Sequence, residues 1–76
     1  MNKIRKSHLK AVMEGLEELL SQLEELKDEE EECLDNVPEN LQGTERYQNS
    51  ELALGYMEEA VDSIENAISC ITSVVE

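Results

Sequence analysis

The stretch DNVPENLQGTERY, residues 35 to 47, holds the side chains best suited to recognition: Asn36, Pro38, Glu39, Asn40, Glu45, Arg46 and Tyr47. Arg46 is the only cation after Lys27, and Tyr47 is one of two aromatic residues in the chain. A guanidinium presents a planar fork of donors to an anionic group, a tyrosine ring offers a flat face beside it, and the amides of Asn36 and Asn40 add hydrogen bonds. A second reading is purely architectural. In it Arg46 pairs with the acidic run at residues 28 to 32, and Tyr47 covers the end of the helices on either side.

Catalysis finds little support elsewhere. Carboxylates are so numerous that the proximity of two says nothing about general acid and base work, which also requires a concave site to shift their pKa values. The run DEEEE at 28 to 32, followed by Asp35, lacks the central glycine and alternating ligands of a calcium-binding loop. His8 is the sole histidine, with no cysteine or carboxylate at helical spacing nearby, so no metal set or nucleophile–base pair assembles around it. No glycine-rich phosphate loop is present, and no cofactor or metal is expected.

The elements that position this stretch are two amphipathic helices. Leu9, Val12, Leu16, Leu19, Leu23, Leu26, Cys33 and Val37 follow alternating steps of three and four, interrupted at Glu30, with Met13, Leu20 and Leu34 on the neighbouring row. A helix over about residues 3–34 follows, with a stripe wide enough for more than one partner helix. The second helix, about 49–75, is more regular. Leu54, Met57, Val61, Ile64, Ile68, Ile71 and Val75 form its seam, flanked by Ala53, Ala60, Ala67 and Val74. Asn49 or Ser50 is the expected N-cap.

Between them, residues 35–48 form the connector. Pro38 stops the first helix, residues 38 to 42 suit one short helical turn ending at Gly43, and Leu41 is expected to plug the end of the bundle. Gly15 and Gly55 lie inside the helical patterns but off the seams, which reads either as tolerated surface glycine or as close approach of another chain.

With 76 residues, no Phe and no Trp, the chain is one domain with a small aliphatic interior. The expected fold class is all-α: an antiparallel helical hairpin with a long structured connector, dimerising into a four-helix bundle. Leu16, Leu19, Leu23, Leu26, Met57, Val61, Ile64, Ile68 and Ile71 are the expected oligomer core. Cys33 and Cys70 lack metal-type spacing and read as reduced structural thiols. In a hairpin they stand roughly 30 Å apart along the helix axis, which excludes an intrachain disulfide.

The formal charge of −13 is unevenly distributed. Lys3, Arg5, Lys6 and Lys10 precede the first acid at Glu14, after which nineteen acids face only Lys27 and Arg46. Such a field repels nucleic acid and anionic membranes and attracts basic protein surfaces, although acidity also simply aids solubility. No apolar run approaches the roughly 20 residues that span a bilayer, and no signal peptide is recognisable, so a cytoplasmic protein is expected.

The segment DNVPENLQGTERYQNSE, followed by a helix alternating Glu and Ala, resembles a group of short acidic proteins from phages, prophages and conjugative elements of Gram-positive bacteria. These carry an acidic helix, a segment like DNxPENLQxSERY and a second amphipathic helix. The likeness covers roughly residues 20 to 76 and is most specific at Asp35, Asn36, Pro38, Glu39, Asn40, Leu41, Gln42, Glu45, Arg46 and Tyr47. Thr44 stands where serine is usual, and the basic first dozen residues fall outside the pattern. The resemblance implies a mobile-element origin and a non-enzymatic role, such as inhibition of a host or defence component.

Three functions follow from these features. The first is an acidic oligomeric protein that inhibits or adapts a host or defence protein through that partner's basic surface. The second is a sponge that sequesters a signalling nucleotide at pockets between subunits. The third is a purely structural assembly module. Self-association is common to all three, and direct contact with nucleic acid or membrane to none.

Overall fold

The computed structural model describes residues 1–76 as a rod measuring 59 × 14 × 14 Å. Helix α1 spans Lys3–Asp35, a single 3-10 turn spans Glu39–Leu41, and helix α2 spans Glu45–Val75, running back along α1. The all-helical hairpin expected from the two apolar periodicities is thus present.

Helix α1 begins where the Asn2 side chain accepts a hydrogen bond from the Arg5 backbone N–H at 2.7 Å. Its charges oppose its own dipole, because Lys3, Arg5 and Lys6 occupy the positive N-terminal end and the acidic run occupies the negative C-terminal end. Acids spaced four apart, such as Asp28 and Glu32, also repel each other by a few tenths of a kcal/mol per pair. Strong helix formers and burial against α2 therefore hold α1 together, rather than its surface charges.

The connector is shorter than expected, residues 36–44 rather than 35–48, because α2 starts four residues before the anticipated position. Its N-cap is Thr44 and not Asn49 or Ser50. The Thr44 hydroxyl accepts from the Tyr47 N–H at 3.2 Å and donates to the Leu41 carbonyl at 2.8 Å. Glu45 adds a favourable acid in the first turn. The signal was local, a hydroxyl side chain immediately ahead of an acid and a helical pattern.

The remaining length of the connector satisfies its own backbone. After Asn36 N–H bonds to the Glu32 carbonyl and Val37 N–H to the Leu34 carbonyl, Pro38 ends α1. Leu41, Gln42 and Thr44 then donate in succession to the carbonyls of Pro38, Glu39 and Leu41. Gly43 has an ordinary negative φ, so nothing in this turn demands glycine. Leu41 does not plug the end; it is 46 % exposed.

The seam between the helices alternates steps of three and four on both sides. From α2 it takes Leu54, Met57, Val61, Ile64, Ile68, Ile71 and Val75, as expected. From α1 it takes Leu9, Met13, Leu16, Leu20, Leu23, Lys27, Glu30 and Leu34. This corrects the expected α1 seam, since the row Val12, Leu19, Leu26 and Cys33 lies outside the contact with α2. Val12, Leu19 and Leu26 are 52, 57 and 56 % exposed. Only Leu34 and Val61 fall below a tenth exposed, so the hairpin by itself has almost no fully enclosed interior.

Gly15 and Gly55 sit in regular helix with nothing within 4 Å of where a Cβ would lie. Alanine at both positions is expected to raise the unfolding free energy by about 1 kcal/mol each, because glycine loses more backbone entropy in a helix. Thermal melts followed by circular dichroism measure this. A loss of stability instead would show that another chain packs against these positions.

Candidate functional site

A two-helix rod has sides rather than a cleft, and the sequence sorts them by chemistry. In an antiparallel pair, the rows bordering the seam on one edge of each helix face each other, as do those on the other edge. On one edge α1 contributes Glu17, Glu24 and Glu31, and α2 contributes Glu51, Glu58 and Glu65, all exposed. Glu31, Glu51 and Glu58 line one shallow depression together with Asp35 and Tyr47, which places rows of both helices on the same side. On the opposite edge lie Val12, Leu19, Leu26 and Cys33 from α1 and Ala53, Ala60, Ala67 and Val74 from α2. The hairpin as a whole is amphipathic, acidic along one side and apolar along the other.

Lys27 is the one cation built into the seam. Its side chain is 24 % exposed, and its ammonium lies 3.5 Å from the Asp28 carboxylate and 3.9 Å from that of Glu31. Partial burial alone lowers its pKa, but Asp28, Glu31 and Glu58 across the seam outweigh that effect and hold it above the ordinary lysine value. The stem fills a seam position while the charge reaches the acidic edge. Beside Glu30 it forms a polar layer that favours one alignment of the helices over slipped ones.

At the connector end, Asn36, Pro38, Arg46 and Tyr47 surround one depression of about 760 Å³, joined by Glu30, Cys33 and Ser50. Four of the seven residues singled out from the sequence are therefore brought together. Glu39, Asn40 and Glu45 are exposed and line neither this depression nor the acidic one. Arg46 and Tyr47 belong to the first turn of α2, not to a loop. Arg46 makes no ion pair with the acidic run; the only ion pairs are those of Lys27. Tyr47 is half-buried and, like Leu34, borders both depressions.

Glu30, Cys33 and Ser50 were not anticipated as lining residues. The sequence placed Arg46 in the connector and Cys33 in the seam, and only the start of α2 at Glu45 and the rotation of α1 bring these side chains to one depression. Both cysteines are free, in line with their reading as reduced thiols, but both are exposed, Cys33 at the connector end and Cys70 toward the open end, so neither is packed as a structural side chain. His8 is exposed on α1, and no group of three or more His, Cys, Asp or Glu side chains is arranged to hold a metal ion. No helix is long and apolar enough to cross a membrane.

These features define an all-α hairpin with an acidic side, an apolar side and a small mixed depression at its closed end. No protein-family model, curated protein or solved structure matches the chain.

Proposed function

We propose that this chain is a non-enzymatic acidic binding protein of mobile-element origin, which works as a homodimeric four-helix bundle and engages a basic surface of a host or defence protein. The observation that carries the reading is the gathering of Glu17, Glu24, Glu31, Glu51, Glu58 and Glu65 along one side of the rod. Those carboxylates repel one another at a cost to the fold. A basic partner would relieve that repulsion on binding, and the long acidic field would steer its approach. The connector depression, with the unpaired Arg46 beside Tyr47, adds shape and directional hydrogen bonds at one end. Expected oligomer-core residues Leu19 and Leu26 are the ones the hairpin leaves uncovered.

The test is capture from a lysate of the host with three baits: wild type, a Glu51→Gln, Glu58→Gln, Glu65→Gln variant, and an Arg46→Ala, Tyr47→Ala variant. A protein recovered by wild type at low salt is expected to be lost at about 1 M salt, where the screening length shrinks to roughly 3 Å. It should also be lost from the glutamine variant. If all three baits recover the same proteins at both salt concentrations, the acidic side is not a binding surface.

The depression at the connector also favours a second reading, capture of a nucleotide, because it sets a free guanidinium and an aromatic ring around one space of about 760 Å³. Thermal shift against cyclic and linear nucleotides distinguishes it. A ligand stabilises the fold by RT ln(1 + [L]/Kd), and a uniform absence of shift removes this reading.

A further inference from the structure

The apolar side of the hairpin is exposed at every residue of its two rows except the half-buried Ala67. Val12, Leu19, Leu26 and Cys33 recur every seventh residue on α1, as do Ala53, Ala60, Ala67 and Val74 on α2. The two rows share a side, because Cys33 from one and Arg46, which begins the other, line the same depression. We propose that this face is covered by a second copy of the chain lying antiparallel to the first. The two-fold axis then runs across the rods in the plane of contact, so that α1 meets α1 of the partner subunit and α2 meets its α2. This deepens the homodimer within the proposed function and rests on it.

Three observations select this occupant and this orientation. The face extends over a rod of 59 by 14 Å, on the order of 800 Å² in projection, which is what each partner buries in a standard stable interface. Second, one axis serves both rows. Met13 meets Thr72 through a hydroxyl–sulfur contact of 3.1 Å, and Lys27 faces Glu58. That register sets the midpoint between Leu19 and Leu26 level with the midpoint between Ala60 and Ala67, to within about one residue. An axis at that level therefore places Leu19 on Leu26 of the partner subunit and Ala60 on Ala67 of the partner subunit at once. The α2 contact, lined by alanines, permits close approach, while leucines fill the wider α1 contact.

Third, the charges agree. Arg5 stands seven residues before Val12 in the same row, and the antiparallel alignment carries it over the connector near Glu39 of the partner subunit. Each basic N-terminal segment then lies at the acidic end of the other copy. With the axis along the rods instead, Asp28 to Glu32 of both copies would crowd one end of the bundle. The reversed charge of α1 relative to its own dipole thereby acquires a physical role between chains.

Cross-linking of the full chain tests the arrangement in a Cys33→Ser, Cys70→Ser background. Chains carrying Leu19→Cys and chains carrying Leu26→Cys are treated with a short bis-maleimide, separately and as an equimolar mixture, alongside sedimentation of the unmodified protein. The mixture is expected to yield covalent dimer several-fold above either variant alone. A sedimenting dimer in which like variants cross-link as well as the mixture overturns the antiparallel arrangement and leaves dimerisation standing. A monomer at all concentrations overturns both this proposal and the homodimer in the proposed function, while leaving capture by the acidic side separately testable. Leu19→Glu with Leu26→Glu is expected to weaken dimerisation by at least about 100-fold, since it takes four leucines out of the contact between the copies and puts carboxylates that must be desolvated in their place. The helical circular dichroism of the variant should persist, because both residues are exposed in the hairpin. Unchanged dimerisation in this variant would place the contact on another face.

Discussion

Leu34→Ala is expected to lower the unfolding free energy by about 2–4 kcal/mol, which removes most of the stability available to a 76-residue chain with so small an interior. Leu34 is 8 % exposed and occupies the last full turn of α1, where both connector depressions border it. Truncation there leaves a hole that the connector cannot easily collapse into, since its backbone bonds hold it in successive turns. Val61→Ala, at 9 % exposure midway along α2, deletes two methyl groups and is expected to cost about 1–2 kcal/mol on the same reasoning. The control is Leu19→Ala, which at monomeric concentration should change stability by less than about 1 kcal/mol because the leucine is largely solvated. Urea melts of the three variants at equal, dilute concentration decide the matter. Equal losses at positions 19 and 34 would show that α1 does not present Leu34 to α2.

Lys27→Glu is expected to have the second large effect, a deep fall in melting temperature at low salt that is partly restored by high salt. The substitution replaces the seam's one cation by another carboxylate beside Asp28 and Glu31 and across from Glu58. Lys27→Met should keep the fold, because its stem is apolar, but lose the attraction to the three acids. The pH dependence separates these contributions. The folded-state pKa of Lys27 is raised, so its stabilisation is fully present below the unfolded lysine value of about 10.4 and is lost as pH rises through the higher folded value. Wild type should therefore lose more stability than Lys27→Met over that alkaline window. Identical alkaline profiles would show that the ammonium contributes nothing to pairing of the helices.

Much of this fold was legible in the residues. On α2 a single unbroken row of Leu, Met, Val and Ile repeats at steps of three and four, and an alanine row beside it offers little competing hydrophobicity, so the seam could be read directly. Helix α1 was ambiguous. The row of Leu9, Leu16 and Leu23 can pair with Val12, Leu19, Leu26 and Cys33 on one flank or with Met13, Leu20, Lys27 and Leu34 on the other. The first choice looks better by apolar count, because it avoids a lysine. The hairpin takes the second, since Lys27 keeps its stem in the seam and sends its charge to solvent and to neighbouring carboxylates, while Leu34 closes the connector end. At the candidate site, the composition of residues 35 to 47 pointed to seven side chains, of which Asn36, Pro38, Arg46 and Tyr47 share a depression while Glu39, Asn40 and Glu45 stand outside it. It could not show that Cys33, from the preceding helix, and Ser50, from the following one, complete the same depression.

The sequence by itself determined two long helices, the place where the chain turns, an aliphatic seam on α2 and an excess of acid after residue 13. Each of these is local, set by propensity, capping and periodicity within a few turns of chain. Only the tertiary structure decided the rotation of α1 about its own axis. That rotation sets which apolar row is spent inside the hairpin, which is left for another molecule, and which carboxylates from distant positions come to share one side. It depends on the mutual fit of two surfaces, and neither helix carries the whole of that information in its own residues.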